Sequence, residues 1–131
     1  PARAHAEASR DRICLDRTVE ACGPWVRMHL SADERPGWTA LGAAATRVAP
    51  ALGVRPEAWR AASAALGIEA ATACMVLLER RLERDPCHPA AIRRPEAYLA
   101  AMVRRGLEGR LRLDASLRGV IARDTAAKAA G

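Results

Sequence analysis

The 131-residue sequence contains no phenylalanine and only four other aromatic residues, three Trp and one Tyr. A β-sheet core needs β-branched and aromatic residues in alternation, and no such run occurs. Half of the residues are hydrophobic, but most of these are Ala, Leu and Val. Because Ala is the best helix former, this composition favours close-packed helices. The sequence therefore predicts an all-α fold, a compact bundle of about five to seven short helices.

The chain also lacks a long apolar segment. A membrane-spanning helix needs about 20 apolar residues, whereas the longest candidate, Ile68–Leu78, contains Glu69 and Thr72 and is followed by charges. The N-terminus lacks the charged start and apolar core of a signal peptide. We therefore expect a cytoplasmic protein without a membrane partner. Its length suits a single helical domain, 1–131.

Neither a metal site nor a catalytic constellation is visible in the sequence. The four cysteines, Cys14, Cys22, Cys74 and Cys87, include no C-x-x-C pair, so we expect reduced, non-catalytic thiols. Three histidines are scattered along the chain, and H-E-x-x-H, G-x-S-x-G and Gly-rich phosphate loops are absent. The sequence predicts a protein that is not an enzyme and that uses no cofactor, metal or small-molecule substrate.

The net charge of +6 is unevenly distributed. Five of the six net charges lie in residues 79–131. A basic segment of this kind indicates contact with nucleic acid or with an acidic partner. The alternative is compositional, because twenty Arg against one Lys, with abundant Ala, is also typical of a GC-rich genome. The charge alone leaves both interpretations open.

A five-residue pattern occurs twice, as RPEAW at Arg55–Trp59 and as RPEAY at Arg94–Tyr98. Pro suits the first position of a helix, because the N–H group that it lacks would have no partner within the helix. Glu in the first turn meets the positive end of the helix dipole. Weak similarity continues after each copy, but the hydrophobic patterns diverge, which favours two helix starts over a duplication. The sequence thus predicts helices at Pro56–Leu66 and Pro95–Glu108.

Hydrophobic periodicity predicts the other helices. They span about 2–22, Pro24–Leu30, Trp38–Val48 and Ile68–Arg84, and a final helix is capped by Asp114. Helix breaks are expected at Gly23-Pro24, Pro86–Pro89 and Gly109. The two ends of the chain, 1–10 and 125–131, are expected to fray.

Two groups of side chains have predicted positions on these helices. We expect Trp38, Trp59 and Tyr98 to be largely buried, because so few aromatic residues are available to fill the core. On the helix that starts at Ile68, three charged residues are expected to pair across the outer face, Glu79, Arg80 and Glu83.

Two predicted helices meet at Gly67, and a short turn that contains Gly is typical of a helix-turn-helix motif. A recognition helix needs polar side chains near its N-terminus to reach base edges. The second helix is instead mostly apolar over Ile68–Leu78. The sequence favours core packing over DNA recognition for this helix.

Arginines dominate the C-terminal part of the chain, and they form a candidate phosphate-binding set. Arg contacts phosphates through its forked guanidinium group, but no interleaved aromatic residues provide a platform for base stacking. The sequence therefore predicts at most a surface for the nucleic-acid backbone. Its residues are Arg93, Arg94, Arg104 and Arg105, with Arg80, Arg81 and Arg84 as additions. The alternative is an ordinary solvated helix face.

Three ordered segments resemble a known family. They read GWTALGAAATRVAPALGVRPEAW, ALGIEAATACMVLLERR and IRRPEAYLAAMVRRGLEGRLRLDASL. From Trp38 to Ile121 the order and spacing resemble the C-terminal region of replication protein C (RepC), the initiator of the repABC plasmids of alphaproteobacteria. Two features depart from the family pattern: Glu96-Ala97 stand where the family often has Gly-Gly, and the loop around Cys87 is longer.

The resemblance implies a cytoplasmic, plasmid-encoded initiator of which this chain is the C-terminal part, preceded by an origin-binding winged-helix domain. It implies a helical domain that supports initiation through plasmid DNA, self-association or host replication proteins. No catalytic residue is transferred by the resemblance. The alternative function is a helical protein-interaction or dimerisation module without DNA binding.

Overall fold

The computed structural model describes residues 12–32, 35–83, 87, 92 and 94–130. Within these residues the chain forms seven α-helices and one 3-10 helix, and no strand. The helices are α1 Leu15–Ala21, α2 Pro24–Arg27, α3 Trp38–Val48, the 3-10 helix Ala49–Leu52, α4 Pro56–Leu66, α5 Ile68–Leu82, α6 Pro95–Leu107 and α7 Leu113–Ala130. The predicted all-α fold is confirmed.

Helix α5 lies at the centre of the bundle. Every residue from Ala70 to Glu79 is buried, and the helix contacts α1, α2, α3, α4, α6 and α7. A helix that is apolar on all sides must be covered on all sides, and its Ala-rich sequence lets the neighbours approach closely. The predicted core role of this segment is confirmed, so the junction at Gly67 joins two packed helices.

The two copies of the RPEA pattern start two helices, as predicted. Pro56 and Pro95 occupy the first turns of α4 and α6. These two helices pack against each other, and an ion pair joins the two copies. The backbone N–H of Arg55 donates to Oε2 of Glu96 at 2.7 Å, and the Arg55 Nε lies 2.9 Å from the same oxygen. The repeated pattern therefore supplies a contact between helices in addition to two helix starts.

The three aromatic residues predicted to be buried differ in exposure. Trp59 is only 4% exposed, and its Nε1 donates to the Thr46 hydroxyl at 2.9 Å. Trp38 and Tyr98 are half-buried and pack against the core. The prediction of large burial is confirmed for Trp59 and holds only in part for the other two. The structure places the ring of Tyr98 at the edge of a groove, which is described below.

Two of the three predicted helix breaks are confirmed. Gly23 precedes α2, whose first residue is Pro24. Gly109 follows α6 with φ of +72°, a left-handed backbone conformation that glycine adopts readily. The third break, Pro86–Pro89, lies outside the described residues apart from Cys87.

The ends of the helices correct several predicted boundaries. Helix α1 covers only the last part of the predicted segment 2–22, whose residues 2–11 lie outside the described chain, as does the predicted frayed end 1–10. Helix α2 ends at Arg27, before the predicted Leu30. Helix α7 continues to Ala130, so residues 125–130 are helical although they were expected to fray.

Asp114 has a larger role than the predicted helix cap. Helix α7 begins one residue earlier, at Leu113, so Asp114 lies inside the first turn. Its carboxylate is nearly buried and accepts hydrogen bonds from the backbone N–H of Cys14 at 3.2 Å and from Arg17 Nη1 at 2.7 Å. Asp114 thereby joins the start of α1 to the start of α7.

Candidate nucleic-acid interface

Helices α5, α6 and α7 line an open groove of about 770 Å³, which we call the basic groove. Four of its apolar side chains are nearly buried and form its bottom: Leu77, Met102, Leu111 and Val120. The full lining is Leu77, Arg80, Arg81, Glu83, Tyr98, Met102, Arg105, Leu111, Ala115, Ser116, Gly119, Val120, Arg123, Asp124 and Ala127. An apolar bottom with charged groups around it is typical of a binding site.

The charges of the basic groove do not cancel. Four arginines and two carboxylates line it, and both carboxylates, Glu83 and Asp124, pair with the same residue, Arg80. The other three arginines, Arg81, Arg105 and Arg123, form no salt bridge with any residue in the described part of the chain. The groove thus presents three guanidinium groups to an anion.

Arg80 is part of the framework of the groove. Its guanidinium donates to both carboxylate oxygens of Asp124, with Nη1 at 2.9 Å from Oδ2. Its Nη1 also donates to the backbone carbonyl of Ala21 at 3.1 Å, and its Nε donates to Glu83 at 3.1 Å. Hydrogen bonding to Asp124 raises the pKa of Arg80 above its ordinary value. The side chain therefore connects α5 to α1 and to α7.

The pairing of Asp124 with Arg80 predicts how stability changes in acid. The hydrogen bond from Arg80 lowers the pKa of Asp124 below its ordinary value of 3.8. A carboxyl whose pKa is lower in the folded state contributes stability that is present above the unfolded pKa and is lost as the pH falls through the folded pKa. We expect Asp124→Asn to destabilise the domain at neutral pH, and this difference to shrink as the pH falls below 3.8.

Urea unfolding of both proteins over a series of pH values checks this expectation. The control is Glu69→Gln, which replaces an exposed carboxylate on the same helix as Arg80 and is expected to change stability at pH 7 by under about 0.5 kcal/mol. A destabilisation by Asp124→Asn that grows toward acid would contradict the proposed pairing.

Tyr98 and Arg81 meet at the groove although they belong to different helices. The Arg81 guanidinium carbon lies 5.6 Å from the centre of the Tyr98 ring, within the range of a cation–π contact. Both residues line the basic groove. The structure therefore places an aromatic ring beside Arg81, although the sequence analysis found no aromatic residues interleaved with the arginines. The sequence analysis considered only neighbours along the chain. The Tyr98 ring instead meets Arg81 because α6 packs on α5.

The structure divides the predicted phosphate-binding arginines into three groups. Arg80, Arg81 and Arg105 line the basic groove. Arg94 and Arg104 are exposed and do not belong to its lining. Arg84 and Arg93 lie outside the described residues. The phosphate-binding role of all seven remains a prediction.

The sequence analysis missed Arg123, the third groove arginine that forms no salt bridge with a described residue. It lies on the face of α7 that also supplies Ser116, Gly119, Val120 and Ala127 to the lining. Steps of three and four residues place these positions on one side of a helix. The signal was present in the sequence, but the helix was expected to end near this point.

Glu79 was predicted on the outer face of its helix, and this is wrong. Its side chain is 1% exposed, and it accepts hydrogen bonds from the backbone N–H groups of Trp25 at 2.8 Å and Val26 at 3.2 Å. Burial raises the pKa of Glu79, an effect opposed by these hydrogen bonds. Glu79 thus accepts hydrogen bonds from the first free backbone N–H groups of α2. The N-cap residue of that helix, Gly23, has no side chain that could do so. The predicted pairing of Arg80 with Glu83 is confirmed.

The described residues contain neither a group of three His, Cys, Asp or Glu side chains placed to hold a metal ion nor a helix apolar enough to cross a membrane. Cys14, Cys22 and Cys74 form no disulfide with another described residue. Burial raises the pKa of the Cys22 and Cys74 thiols to about 12, so both remain protonated at neutral pH.

An all-α domain with a basic groove is a scaffold suited to binding an anionic partner. The family model for the replication protein C C-terminal region matches residues 14–123. The chain therefore belongs to this family, which supports a role in plasmid replication. The match includes all four arginines of the basic groove. Searches of curated proteins and of solved structures found no match.

Proposed function

We propose that the domain is a cytoplasmic, non-enzymatic accessory domain of a plasmid replication initiator, and that it supports initiation by contacting DNA phosphates through the basic groove. The observation that supports this proposal most is the convergence of Arg81, Arg105 and Arg123 on one groove without a carboxylate partner among the described residues. Membership of the replication protein C family is the second support.

Arginine suits this role for two physical reasons. Its guanidinium stays charged at any physiological pH, and its fork donates two parallel hydrogen bonds to a phosphate. The Arg80–Asp124 pair holds α5 and α7 together beneath these groups, so part of the ordering cost is met before DNA binds. Arg94 and Arg104 are exposed near the two ends of α6 and provide further phosphate contacts in this proposal.

The test is a triple variant, Arg81→Gln, Arg105→Gln and Arg123→Gln. We expect its affinity for a plasmid-origin duplex and for an unrelated duplex to fall by a similar factor, about a hundredfold or more at low salt, since three phosphate contacts and the counterions that they release are lost. The factors are similar because phosphate contacts carry little sequence information. Fluorescence anisotropy with labelled duplexes measures both affinities.

The matched control is a second triple variant with the same loss of charge, Arg12→Gln, Arg47→Gln and Arg60→Gln. These arginines are exposed and lie outside the groove. The control is expected to bind within about threefold of the unmodified domain, because only the general charge has changed. Equal losses in the two triple variants would show that net charge, and not the groove, governs binding.

A second candidate function is a protein-interaction or dimerisation module. It is favoured by two large apolar side chains of the α2 region, Trp25 at 48% and Met28 at 72% exposure. Adjacent exposed apolar groups of this kind often mark a protein interface. Sedimentation of the unmodified domain and of Met28→Glu tests it: a dimer that this substitution dissociates, together with no DNA binding at low salt, would favour this function over the first.

A further inference from the structure

We infer that the basic groove takes single-stranded DNA, with an unstacked base inside the groove and the flanking phosphates on its arginines. This inference rests on the proposed function and specifies the form of DNA that the groove binds. It starts from the parts of the groove that phosphate contacts leave unexplained, namely its volume of about 770 Å³ and its aromatic ring.

The apolar bottom of the groove does not fit a duplex. Leu77, Met102 and Val120 lie at the bottom and are each no more than 5% exposed. In a duplex the phosphates stand on the outside and the base faces are stacked inside, so a duplex would touch only the arginines. The unstacked bases of a single strand have free faces, which can stack on the Tyr98–Arg81 pair beside these buried side chains. Charge complementarity requires that the ligand also be an anion.

Tyr98 and Arg81 form a stacking surface at this position. The guanidinium lies over the phenol ring at 5.6 Å, and bases stack both on aromatic rings and on the planes of Arg side chains. A base placed against this pair extends an existing stack, and the pair needs little reordering. Both side chains are half-buried, so the surrounding helices restrict their motion.

The size and charges of the groove are consistent with one unstacked nucleotide and its neighbours. Its volume of about 770 Å³ lies within the range of sites that enclose small organic ligands, roughly 300–1,000 Å³. Arg105 and Arg123 are exposed on α6 and α7, so they reach phosphates on the flanking nucleotides. An acidic protein segment would satisfy these two charges but would leave the stacking pair unused.

The first experiment uses the unmodified domain with three probes of equal length. These are oligodeoxythymidine of about 12 nucleotides, an abasic oligomer with the same phosphates, and a duplex. We expect the thymidine strand to bind at least fivefold more tightly than the abasic strand, because base stacking adds to the phosphate contacts. Polyglutamate, added as a competitor at equal charge, should displace the thymidine strand poorly.

The second experiment tests the ring itself with Tyr98→Leu and the control Tyr98→Phe. Each variant is first checked for an unchanged helical spectrum. The leucine variant is expected to lose at least fivefold in affinity for the thymidine strand while its affinity for the duplex stays within twofold. The phenylalanine variant keeps the ring and is expected to bind as the unmodified domain does.

The outcomes separate this inference from the proposed function. Equal binding of the thymidine strand, the abasic strand and the duplex would overturn base stacking in the groove and would leave phosphate contact standing. Strong competition by polyglutamate would also overturn it and would point to an acidic protein segment. Binding of none of the three probes at low salt would overturn both the inference and the DNA role of the domain.

Discussion

Replacing Trp59 with Ala is expected to lower the free energy of unfolding by about 3–5 kcal/mol. The side chain is 4% exposed and is the most buried of the three Trp side chains, in a core that has no Phe. Its indole N–H donates to the hydroxyl of Thr46, which in turn donates to the carbonyl of Gly42 at 2.8 Å. Truncation would leave a cavity between α3 and α4 and would remove the hydrogen bond from Trp59 to Thr46.

The matched control for Trp59 is Trp25→Ala, which removes the same side chain from a half-exposed position. It is expected to cost about 2 kcal/mol, less than Trp59→Ala, since only about half of the Trp25 side chain is buried. Urea unfolding followed by circular dichroism measures both changes. A loss of about 1 kcal/mol or less for Trp59→Ala would show that this side chain does not hold α3 and α4 together.

Replacing Glu79 with Ala is expected to cost about 2–4 kcal/mol, because two backbone N–H groups would lose their buried acceptor. These groups belong to Trp25 and Val26 at the start of α2. The helix has only four residues and no side-chain cap of its own, so it depends on this carboxylate. We also expect its amide hydrogens to exchange faster with solvent in the variant, because local opening of α2 becomes easier.

Glu83→Ala is the control, since Glu83 follows the same helix and its side chain is 38% exposed. It is expected to change the free energy of unfolding by under about 1 kcal/mol, as is usual for an exposed ion pair. Unfolding and hydrogen exchange at pH 7 compare the two variants. Equal stability losses, or unchanged exchange in α2 of Glu79→Ala, would contradict the capping role.

A close approach of backbone and side chain supports the same role for Glu79. A Cβ atom at position 23 would overlap the carboxylate oxygens of Glu79 and Glu83. A larger residue at position 23 would therefore have to displace the Glu79 carboxylate from the start of α2. The Gly23-Pro24 pair was predicted as a helix break, and its second function, making space for a buried charge, was not visible in the sequence.

Features set by neighbours along the chain were predictable from the sequence. Helices α3 and α4 begin and end at the predicted residues. For α4 the reason is local, since Pro56 starts the helix and Gly67 follows its end. The burial of α5 was also predictable, since an apolar segment too short to cross a membrane must be covered by other helices.

Features set by the packing of separate helices were not predictable. Glu79 lies between Leu78 and Arg80 in a charged stretch, and nothing local distinguishes it from a solvated carboxylate. Its burial follows from where α2 crosses α5. The contact between Arg55 and Glu96 likewise depends on the packing of α4 on α6.

In the candidate site, too, local sequence features were predictable and features set by helix packing were not. Arg81 and Arg105 were named from the sequence because arginines are dense there, and the structure brings them to one groove. Arg94 and Arg104 satisfied the same criterion and lie outside the groove lining, since density along the chain does not fix the face of a helix. Tyr98 was assigned to the core because so few aromatic residues are available to fill it, yet it also lines the groove.

The salt dependence of DNA binding tests the central claim most directly. If the arginines of the basic groove contact phosphates, a plot of log affinity against log salt for the unmodified domain has a steep negative slope. In the triple variant Arg81→Gln, Arg105→Gln and Arg123→Gln, the slope should flatten by about 2–3 on duplex DNA, since each lost phosphate contact removes about 0.9. The triple variant outside the groove should keep a slope close to that of the unmodified domain. Identical slopes for all three proteins would contradict the assignment of the DNA contacts to the basic groove.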